Sequence, residues 1–572
     1  MTPREDTPEN PDNQPRPDAA PHQWNPHARR IAPLIDGIEY YPAVHHAISN
    51  AQHQILILGW ELHSEVRLLR GEQADNPAAP PVLADLLEHA ANANPHLTAH
   101  LLIWEGASLF ALEREHLPRM TRPWEKHPRV RLVWDTDTPE LGSHHQKLVV
   151  IDDRIAFTGG MDLTRARWDS HQHHQKDPRR RTPGILPIHG NPYHDTMIAL
   201  DDQAAQTLGD WARKRWKRAT GQTLEKPPRT RDHDQNTPRE PWPPSLEPIL
   251  KDRPVAISLT QPDFAGRPEI RQVERAFIEQ INNAERSIFI ETQYLAAESI
   301  ANTLAKRLEE PQGPEVILIM PFGCPGKLQS MAMDTRRDQL LKQLRNADRH
   351  QRLGAYWPTL AAGDSNEPFK TSVYVHAKVL ITDNRLLRIG SANLNNRSMG
   401  LDTELDCTVT ASRDDHEAIA AIAHLRRRLL AYLLAIETPE LEKAEREHSS
   451  ILAAVESLRT GERTLHPFTH SAPKFAEQLR IRTELADPPA PVGKLDAQRV
   501  LQEIARHTTP GQKIRKAASN ITGFLKKPLN PEDPAGPAPD DPNTDYTHKT
   551  DTQNTDTDRT DKENTATAST DR

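Results

Sequence analysis

Two short motifs in this chain combine a histidine, a lysine and an aspartate at identical spacing. The first begins at His145 (HQKLVVIDDRIAFTGGMD) and the second at His376 (HAKVLITDNRLLRIGSAN). Both follow the pattern H-x-K-x4-D-x6-G-[GS]-x-[DN]. A single H-x-K-x4-D is a weak signal, because it arises by chance roughly once in several thousand positions. Its repetition at the same offsets indicates that the two motifs act together.

The segments that follow each lysine, LVVI and VLIT, are typical of strands, whose side chains alternate between two faces. The histidine and lysine of each motif therefore share a face, His145 with Lys147 and His376 with Lys378. If two lobes face each other, these four side chains converge on one cationic pocket. The pattern predicts a site that binds a phosphate without a metal ion.

The aspartates Asp152 and Asp383 lie an odd number of positions from their histidines, so we expect them to point away from the pocket and brace a turn. The glycines that follow allow a tight turn and close approach of the backbone to an anion. We group Asp162 with the two structural aspartates. The predicted ligands of the phosphate are Lys147, Lys378, Ser391, Asn393 and Gly160.

Two histidines allow a division of labour. A neutral imidazole attacks phosphorus, while a protonated one donates to the leaving oxygen and then activates water or an alcohol. An attacking imidazole needs a carboxylate on its other nitrogen to fix the tautomer. Asp195 (in YHDTMIAL) and Glu404 (in LDTELDCTV) follow the two motifs at corresponding places. We predict the pairs His145–Asp195 and His376–Glu404.

The elements around the motifs occur twice in the same order. A helix-like segment (41–51, 272–284) precedes an apolar strand (QILILGWEL, SIFIETQYL), a second helix, a second strand (HLLIW, VILIM) and then the His-x-Lys strand. This pattern predicts an α/β fold of two similar α-β-α sandwich lobes around a pseudo-twofold axis. Two basic helices, 202–218 and 415–434, are expected to pack on the sheets with charged faces in solvent, anionic membrane binding being the alternative.

Composition sets the predicted boundaries. We expect a disordered N-terminus (1–27), a first lobe (28–224), a Pro-rich linker (225–250), a second lobe (251–437), a helical extension (438–525) and a disordered tail (526–572). The mean hydropathy is −0.73, and the polar start shows no secretory signal. We therefore expect a cytoplasmic protein, peripheral at a membrane, with signal-less export left open. Two cysteines exclude a disulfide framework, and a net charge of −8 argues against a nucleic-acid partner.

Most of the 28 histidines are expected to be structural or on the surface, and only the doubled motif changes that view for His145 and His376. His144 stays open between the two roles. The run HQHHQ, with His171, His173 and His174, is interpreted as an exposed basic loop. Metal binding is the alternative for this run.

These segments resemble the double-HKD branch of the phospholipase D superfamily over residues 31–436. HHQKLVVIDDRIAFTGGMDLTRARWD is similar to the first HKD region of eukaryotic-type phospholipases D, and IGSANLNNRSMGLDTELD to the second. IETQYL resembles the I-E-N-Q-Y-F segment of that branch, with Thr292 in place of Asn, and ILGWEL fits it as well. Asp162 stands where secreted bacterial members tend to have Asn. The chain thus resembles bacterial proteins close to the eukaryotic type.

The resemblance implies metal-independent hydrolysis or transphosphatidylation of phospholipids through a phosphohistidine. It makes His145 the nucleophile and His376 the acid, with Lys147, Lys378, Ser391 and Asn393 holding phosphate. We expect a monomer without cofactors, acting on phospholipid at a membrane surface with water or an alcohol as acceptor. The alternatives are a cardiolipin synthase-like transferase, a metal-independent nuclease and a non-catalytic lipid- or anion-binding protein.

Overall fold

A computed structural model describes residues 22–75, 77–106, 127–182, 188–228, 240–323, 327–360, 372–469 and 487–491. Most of the predicted disordered N-terminus, the whole predicted tail and most of the predicted extension beyond residue 469 lie outside these ranges.

The first lobe is built on an eight-stranded sheet. Its strands and the short strands near them are β1 (His27–Ile35), β2 (Gln54–Gly59), β3 (Thr98–Trp104), β4 (Val130–Asp135), β5 (Leu148–Ile151), β6 (Ile155–Gly159), β7 (Arg181–Thr182), β8 (Ile188–His189), β9 (Tyr193–His194), β10 (Thr196–Asp201) and β11 (Leu250–Pro254). The order across the sheet is β11-β1-β10-β6-β5-β2-β3-β4.

The second lobe is built on a nine-stranded sheet. The strands of this half are β12 (Ala256–Gln261), β13 (Ile270–Arg271), β14 (Ser287–Glu291), β15 (Glu315–Ile319), β16 (Leu353–Thr359), β17 (Tyr374–Val375), β18 (Val379–Thr382), β19 (Leu386–Gly390), β20 (Glu404–Thr410) and β21 (Thr464–Pro467). The order across the sheet is β13-β12-β20-β19-β18-β14-β15-β16-β21.

Seven consecutive strands of the two sheets correspond one to one. The order β1-β10-β6-β5-β2-β3-β4 in the first lobe matches β12-β20-β19-β18-β14-β15-β16 in the second. The directions match as well: β2–β3–β4 and β14–β15–β16 are parallel, and the remaining pairs are antiparallel. The predicted α/β fold with two similar lobes is confirmed.

The helices cover both faces of each sheet. They are α1 (Asp36–Ser49), α2 (Leu83–Ala93), α3 (Asp202–Thr220), α4 (Gln272–Asn282), α5 (Glu298–Glu309), α6 (Lys327–Ala347), α7 (His416–Leu434), α8 (Thr438–His448) and α9 (Ile451–Leu458). One face of each sheet packs against α3 and α7, and together they form a single core that the two lobes share. The opposite faces pack separately, against α1 and α2 in one lobe and against α4, α5 and α6 in the other. Along β2, Leu56 faces the shared core and Ile57 the outer one.

Burial in the shared core corrects the expected solvation of the two basic helices. Arginines of α3 and α7 are inside the protein, where an unpaired charge would be costly. Each has a buried or half-buried carboxylate: Arg213 with Asp153 at 2.7 Å, Arg215 with Asp135 at 2.6 Å, and Arg426 with Glu445 at 2.6 Å. The predicted charged faces in solvent hold for Lys214 and Lys217, which are exposed, but not for these three arginines, because α3 and α7 lie in the core between the two sheets.

Two segments join a sheet that their predicted domain does not contain. β11 runs from the last residue of the predicted linker into the predicted second lobe, but it lies at the edge of the first sheet next to β1. β21 pairs with β16, so the described start of the predicted extension belongs to the second lobe. Among the helices that the structure describes, none is both long enough and apolar enough to cross a bilayer.

The motif aspartates brace the turns after the His-x-Lys strands in both lobes. Asp152 accepts hydrogen bonds from the backbone N–H groups of residues 52, 53 and 54, at 2.6 to 2.7 Å. Asp383 accepts the same set from residues 285, 286 and 287, at 2.7 to 2.9 Å. Both aspartates have positive φ, 54° and 55°. Each carboxylate therefore ties the turn to the chain just before a central parallel strand.

We predict that Asp152→Ala lowers the free energy of unfolding by about 3 kcal/mol, because three backbone donors lose a charged acceptor. Urea titration measures the change, and Asp383→Ala should behave alike. Asp137→Ala, on a half-exposed surface loop, is the control. A loss at position 152 no larger than that of the control would contradict the bracing role.

Candidate active site

Just before each motif, a short extended segment pairs with the backbone of the other lobe. β17, which leads into the second motif, pairs in parallel with β9 of the first lobe. The N–H of His376 donates to the carbonyl of His194 at 2.8 Å. On the other side, the N–H of His145 donates to the carbonyl of Thr403 at 3.1 Å, and that of Thr403 to Ser143 at 2.9 Å. The segment before His376 therefore lies beside the segment before Asp195. In the same way, the segment before His145 lies beside the segment before Glu404.

This crossing sets the histidine–carboxylate pairs. Nδ1 of His376 bonds to Oδ2 of Asp195 at 2.7 Å, and Nδ1 of His145 bonds to Glu404 at 3.1 Å. The predicted pairs, His145–Asp195 and His376–Glu404, were wrong. They assumed that a carboxylate serves the motif it follows in the chain. In the structure each carboxylate meets the histidine of the opposite lobe.

Ser391 holds Glu404 in place. Its hydroxyl donates to Oε2 of Glu404 and accepts from the N–H of Leu405 at 3.0 Å, and the side chain is fully buried. Burial raises the pKa of Glu404 well above its usual range, against the hydrogen bonds of Ser391 and Ser398. Ser391 therefore contacts Glu404, the carboxylate that holds His145, and not a phosphate as expected.

Gly160 makes room for the other carboxylate. A Cβ at this position would lie 2.0 Å from Oδ1 of Asp195, and the N–H of Gly160 donates to the carbonyl of Thr196 at 3.2 Å. That donor is not free for an anion, which corrects the predicted phosphate contact. Burial raises the pKa of Asp195 to about 6, although Lys378 and the N–H of Thr196 oppose the rise.

The two motif lysines have different surroundings. Each donates to the carbonyl of its own motif histidine, Lys147 at 2.8 Å. Lys147 also lies 3.2 Å from Oδ2 of Asp162, whose other oxygen accepts from the N–H of Trp60 at 2.9 Å. Asp162 therefore neutralises Lys147 and ties it to the end of β2.

Asn393 occupies the position in the second motif that Asp162 has in the first. Its Oδ1 is buried and has no hydrogen-bond partner among the described residues. Burial lowers the pKa of Lys378 to about 7, with repulsion from Lys147 and against attraction by Asp195. Beside Nε2 of His376, Lys378 and Asn393 are thus the polar groups of the second motif for which the described residues leave capacity for a ligand.

The surroundings of both imidazoles disfavour their charged form. Burial, then Lys147 and Lys378, lower the pKa of His145 well below its usual value. Burial, Lys378 and Arg167 do the same for His376. A bound anion would offset the cations and raise both values. The arrangement can therefore offer one neutral imidazole as a nucleophile, and a bound anion would favour protonation of the other.

Sequence reasoning missed the aromatic and cationic wall beside His376. The ring of Tyr193 stacks on that of His376 at 5.5 Å, and Tyr374 lies beside both at about the same tilt. The guanidinium of Arg167 lies 5.3 Å from the Tyr193 ring. Arg167 belongs to the Arg-Trp-Asp segment that carried the family resemblance, and its adjacency to the motif was the available signal.

His144 and the HQHHQ run also differ in their roles. His144 is buried, with Nε2 3.1 Å from Asp135 and Nδ1 3.2 Å from the hydroxyl of Thr403, and burial lowers its pKa to about 4. Of the three histidines of the run, only His174 is exposed. His173 is completely buried, so the interpretation of an exposed loop was wrong at that position.

A duplicated α/β fold whose two His-x-Lys motifs meet in one cationic pocket defines a class of proteins with a paired-histidine site. The family model described as "Phospholipase D" matches residues 47–310, and the one described as "Cardiolipin synthase, PLD-like domain" matches residues 277–426. Together they cover both motifs. The chain belongs to the phospholipase D superfamily.

Curated relatives agree with this assignment. Phospholipase D alpha 1 of Carica papaya is 22% identical over 488 residues, and phospholipase D alpha 1 of Arabidopsis thaliana is 24% identical over the same length. Each alignment covers 64% of this chain, and the chain spans 60% of the length of each relative. Among solved structures, phosphatidylserine synthase of Haemophilus influenzae matches with a TM-score of 0.49 at 15% identity, over 76% of this chain and 97% of that one.

The crossed pairs can be tested by NMR on histidine-labelled protein. Asp195→Asn is expected to move the imidazole resonances of His376 and leave those of His145 in place, because the amide cannot accept the Nδ1–H as a carboxylate does. Glu404→Gln is expected to have the reverse effect. Assignment comes from His145→Ala and His376→Ala. If Asp195→Asn moved the His145 signals alone, the lobes would be paired the other way.

Proposed function

We propose that this chain cleaves the headgroup ester of phospholipids through a covalent phosphohistidine and passes the phosphatidyl group to water or an alcohol. The observation that carries the proposal is the pair of crossed histidine–carboxylate bonds. Nδ1 of His145 and of His376 is occupied by a carboxylate, so Nε2 of each ring is left for chemistry. Both rings lie in a pocket with two lysines.

In the first step His145 is the nucleophile, as the family resemblance suggests. Its Nε2 forms a bond to phosphorus while the bond from phosphorus to the headgroup oxygen breaks. His376, protonated once the anion is bound, gives its Nε2 proton to that oxygen, and the headgroup leaves as an alcohol. Glu404 stabilises the positive charge that the His145 ring gains.

In the second step His376, now neutral, removes a proton from water or from an acceptor alcohol. The resulting oxygen attacks phosphorus, the bond from phosphorus to His145 breaks, and the ring returns to its neutral state. Water gives phosphatidic acid, and an alcohol gives a new phosphatidyl ester. Asp195 holds His376 in the same orientation for both proton transfers.

The lysines account for binding of the diester. A lysine near 4 Å from a phosphate oxygen gains about 4 kcal/mol at an effective dielectric of 20. Lys147 shares its charge with Asp162, whereas the residue at the matching position of the second motif is the uncharged Asn393. We therefore assign the larger share of phosphate binding to Lys378 and Asn393.

Phospholipid as substrate is supported by the names of the relatives, several of which are phospholipases D. The match to a cardiolipin synthase domain supports an alcohol acceptor, and thus the transferase alternative. The proposal includes no metal in the chemical steps and no nucleic-acid substrate. The protein would act as a peripheral enzyme at a membrane surface.

The proposal predicts that the protein forms phosphatidylethanol from phosphatidylcholine or phosphatidylethanolamine vesicles and ethanol in the presence of EDTA. His145→Ala and His376→Ala are each expected to lower the rate by at least about 10³-fold, because each removes a nucleophile or an acid–base group. Mass spectrometry of the lipids measures the product.

The matched control is His174→Ala, which removes an exposed histidine and should keep the full rate. Plasmid DNA incubated under the same conditions tests the nuclease alternative. Nicking of DNA without turnover of lipid would overturn the proposal. Vesicle binding that survives both His145→Ala and His376→Ala, with no turnover by the unchanged protein, would favour a non-catalytic binder.

The roles of the two histidines can be separated with phosphatidyl-4-nitrophenol, whose leaving group needs no acid. His376→Ala is expected to release about one equivalent of 4-nitrophenol in a burst and then to stall as the covalent adduct. His145→Ala is expected to show no burst. Stopped-flow absorbance measures the burst, and peptide mass spectrometry after an alkaline quench locates the adduct. A burst in His145→Ala instead would exchange the two roles.

A further inference from the structure

Behind the active site lies a second group of histidines and carboxylates that the proposed chemistry does not use. Asp36, at the start of α1, His173, in the loop after the first motif, and His194, in β9, have no exposed surface. One nitrogen or oxygen from each lies within 4.8 Å of the others. Three separate parts of the first lobe meet at this point.

His173 turns one ring nitrogen toward Asp36. Its Nδ1 bonds to Oδ2 of Asp169 at 3.1 Å, which leaves Nε2 to face Oδ2 of Asp36 at 3.5 Å. Neither Nε2 of His173 nor Oδ2 of Asp36 has a hydrogen-bond partner in the described part of the chain, and both are buried. Two unpartnered polar atoms of this kind are unusual in a protein interior, where polar atoms are normally satisfied.

His194 has the same arrangement with its two ring nitrogens exchanged. Its Nε2 bonds to Oε2 of Glu291 at 3.2 Å, and its Nδ1 faces Oδ1 of Asp36 at 2.9 Å. Each histidine is thus held by a carboxylate on its outer nitrogen and presents the inner nitrogen to Asp36. A carboxylate on the outer nitrogen is how proteins orient histidines that bind metal ions.

The charges around the group are unbalanced when both rings are neutral. Asp36, Asp169 and Glu291 are the carboxylates that the histidines contact, and Arg180 is the guanidinium that binds Asp169, at 2.8 Å. Arg463 also attracts Asp36 and Asp169, and a divalent cation or protons on the rings would offset the negative charge that remains. An imidazolium at His194 alone would satisfy Asp36 Oδ1 and Glu291, but it would leave Nε2 of His173 and Oδ2 of Asp36 unpaired.

We propose that Asp36, His173 and His194 bind one divalent transition-metal ion, with zinc as the expected metal. The separation of 3.5 Å between Nε2 of His173 and Oδ2 of Asp36 fits two ligands of an ion that each lie about 2.0 to 2.2 Å from it. Imidazole nitrogens favour zinc and its neighbours over calcium or magnesium, which take oxygen ligands. The ion takes the place of the proton between His194 Nδ1 and Asp36, while Asp169 and Glu291 keep their hydrogen bonds.

The site is structural, and its location gives it an effect on catalysis. Oδ1 of Asp36 also accepts a hydrogen bond from the N–H of Asp195 at 3.1 Å. His194 directly precedes Asp195, and its carbonyl accepts from the N–H of His376. An ion at this point fixes the backbone that orients the His376–Asp195 pair, without contact with substrate.

The test is the metal content of the full chain, purified through a tag without histidines and without chelators. Inductively coupled plasma mass spectrometry is expected to find about one zinc per chain, because such a site binds metal as it folds. His173→Asn is expected to lose the ion, and the exposed His174→Ala is expected to keep it. This readout does not depend on turnover of lipid, so it stands or falls apart from the proposed function.

A second measurement covers the case in which His173→Asn fails to fold. The unchanged chain is dialysed against dipicolinate at mildly acidic pH and then titrated with zinc sulfate at neutral pH, with the unfolding temperature as the readout. A rise that saturates near one equivalent, and an X-ray absorption spectrum with two imidazoles and oxygen, support the site. The proposal would be overturned if the purified chain contained no metal and added zinc left its unfolding temperature unchanged. Full retention of zinc by His173→Asn would overturn it as well.

Discussion

The bond between each motif histidine and a carboxylate of the opposite lobe is the constraint on which this structure depends. Neither His145 nor His376 has its tautomer fixed within its own half. The parallel pairing of β9 with β17 and the bonds between Ser143 and Thr403 bring the partners together. A core shared by both sheets, α3 and α7 then keeps the lobes at the one separation at which both bonds form.

Within that frame the two halves of the site are chemically unequal. Glu404 is held by Ser391, whereas the shorter Asp195 fills the space that Gly160 leaves open. Lys147 shares its charge with Asp162, and its counterpart Lys378 does not have a carboxylate at the matching position. These differences lie behind and beside the histidines. They can therefore tune each ring separately while the distance between the rings is kept.

The sequence predicts the motifs, the repeated order of elements and the side on which each motif aspartate lies, because these follow from periods of two and 3.6 residues. It does not predict which carboxylate meets His145. Strand alternation specifies the face on which each histidine lies. Which carboxylate that histidine meets in the other lobe depends on how the two lobes pack together. The burial of His173 was missed for a related reason. Its neighbours His174 and Lys176 are polar and exposed, so local composition indicated a surface loop.

The crossed bonds also bear on how such a protein can arise. Two copies of a single lobe, associated as a symmetric dimer, would already contain both bonds, but each copy would carry the same residue at every position. Once the two copies are joined in one polypeptide, their sequences can diverge. Matching positions can then hold different residues, as Gly160 and Ser391 do, and Asp162 and Asn393. Gene fusion would thus be the step that allowed the two halves of a symmetric site to diverge.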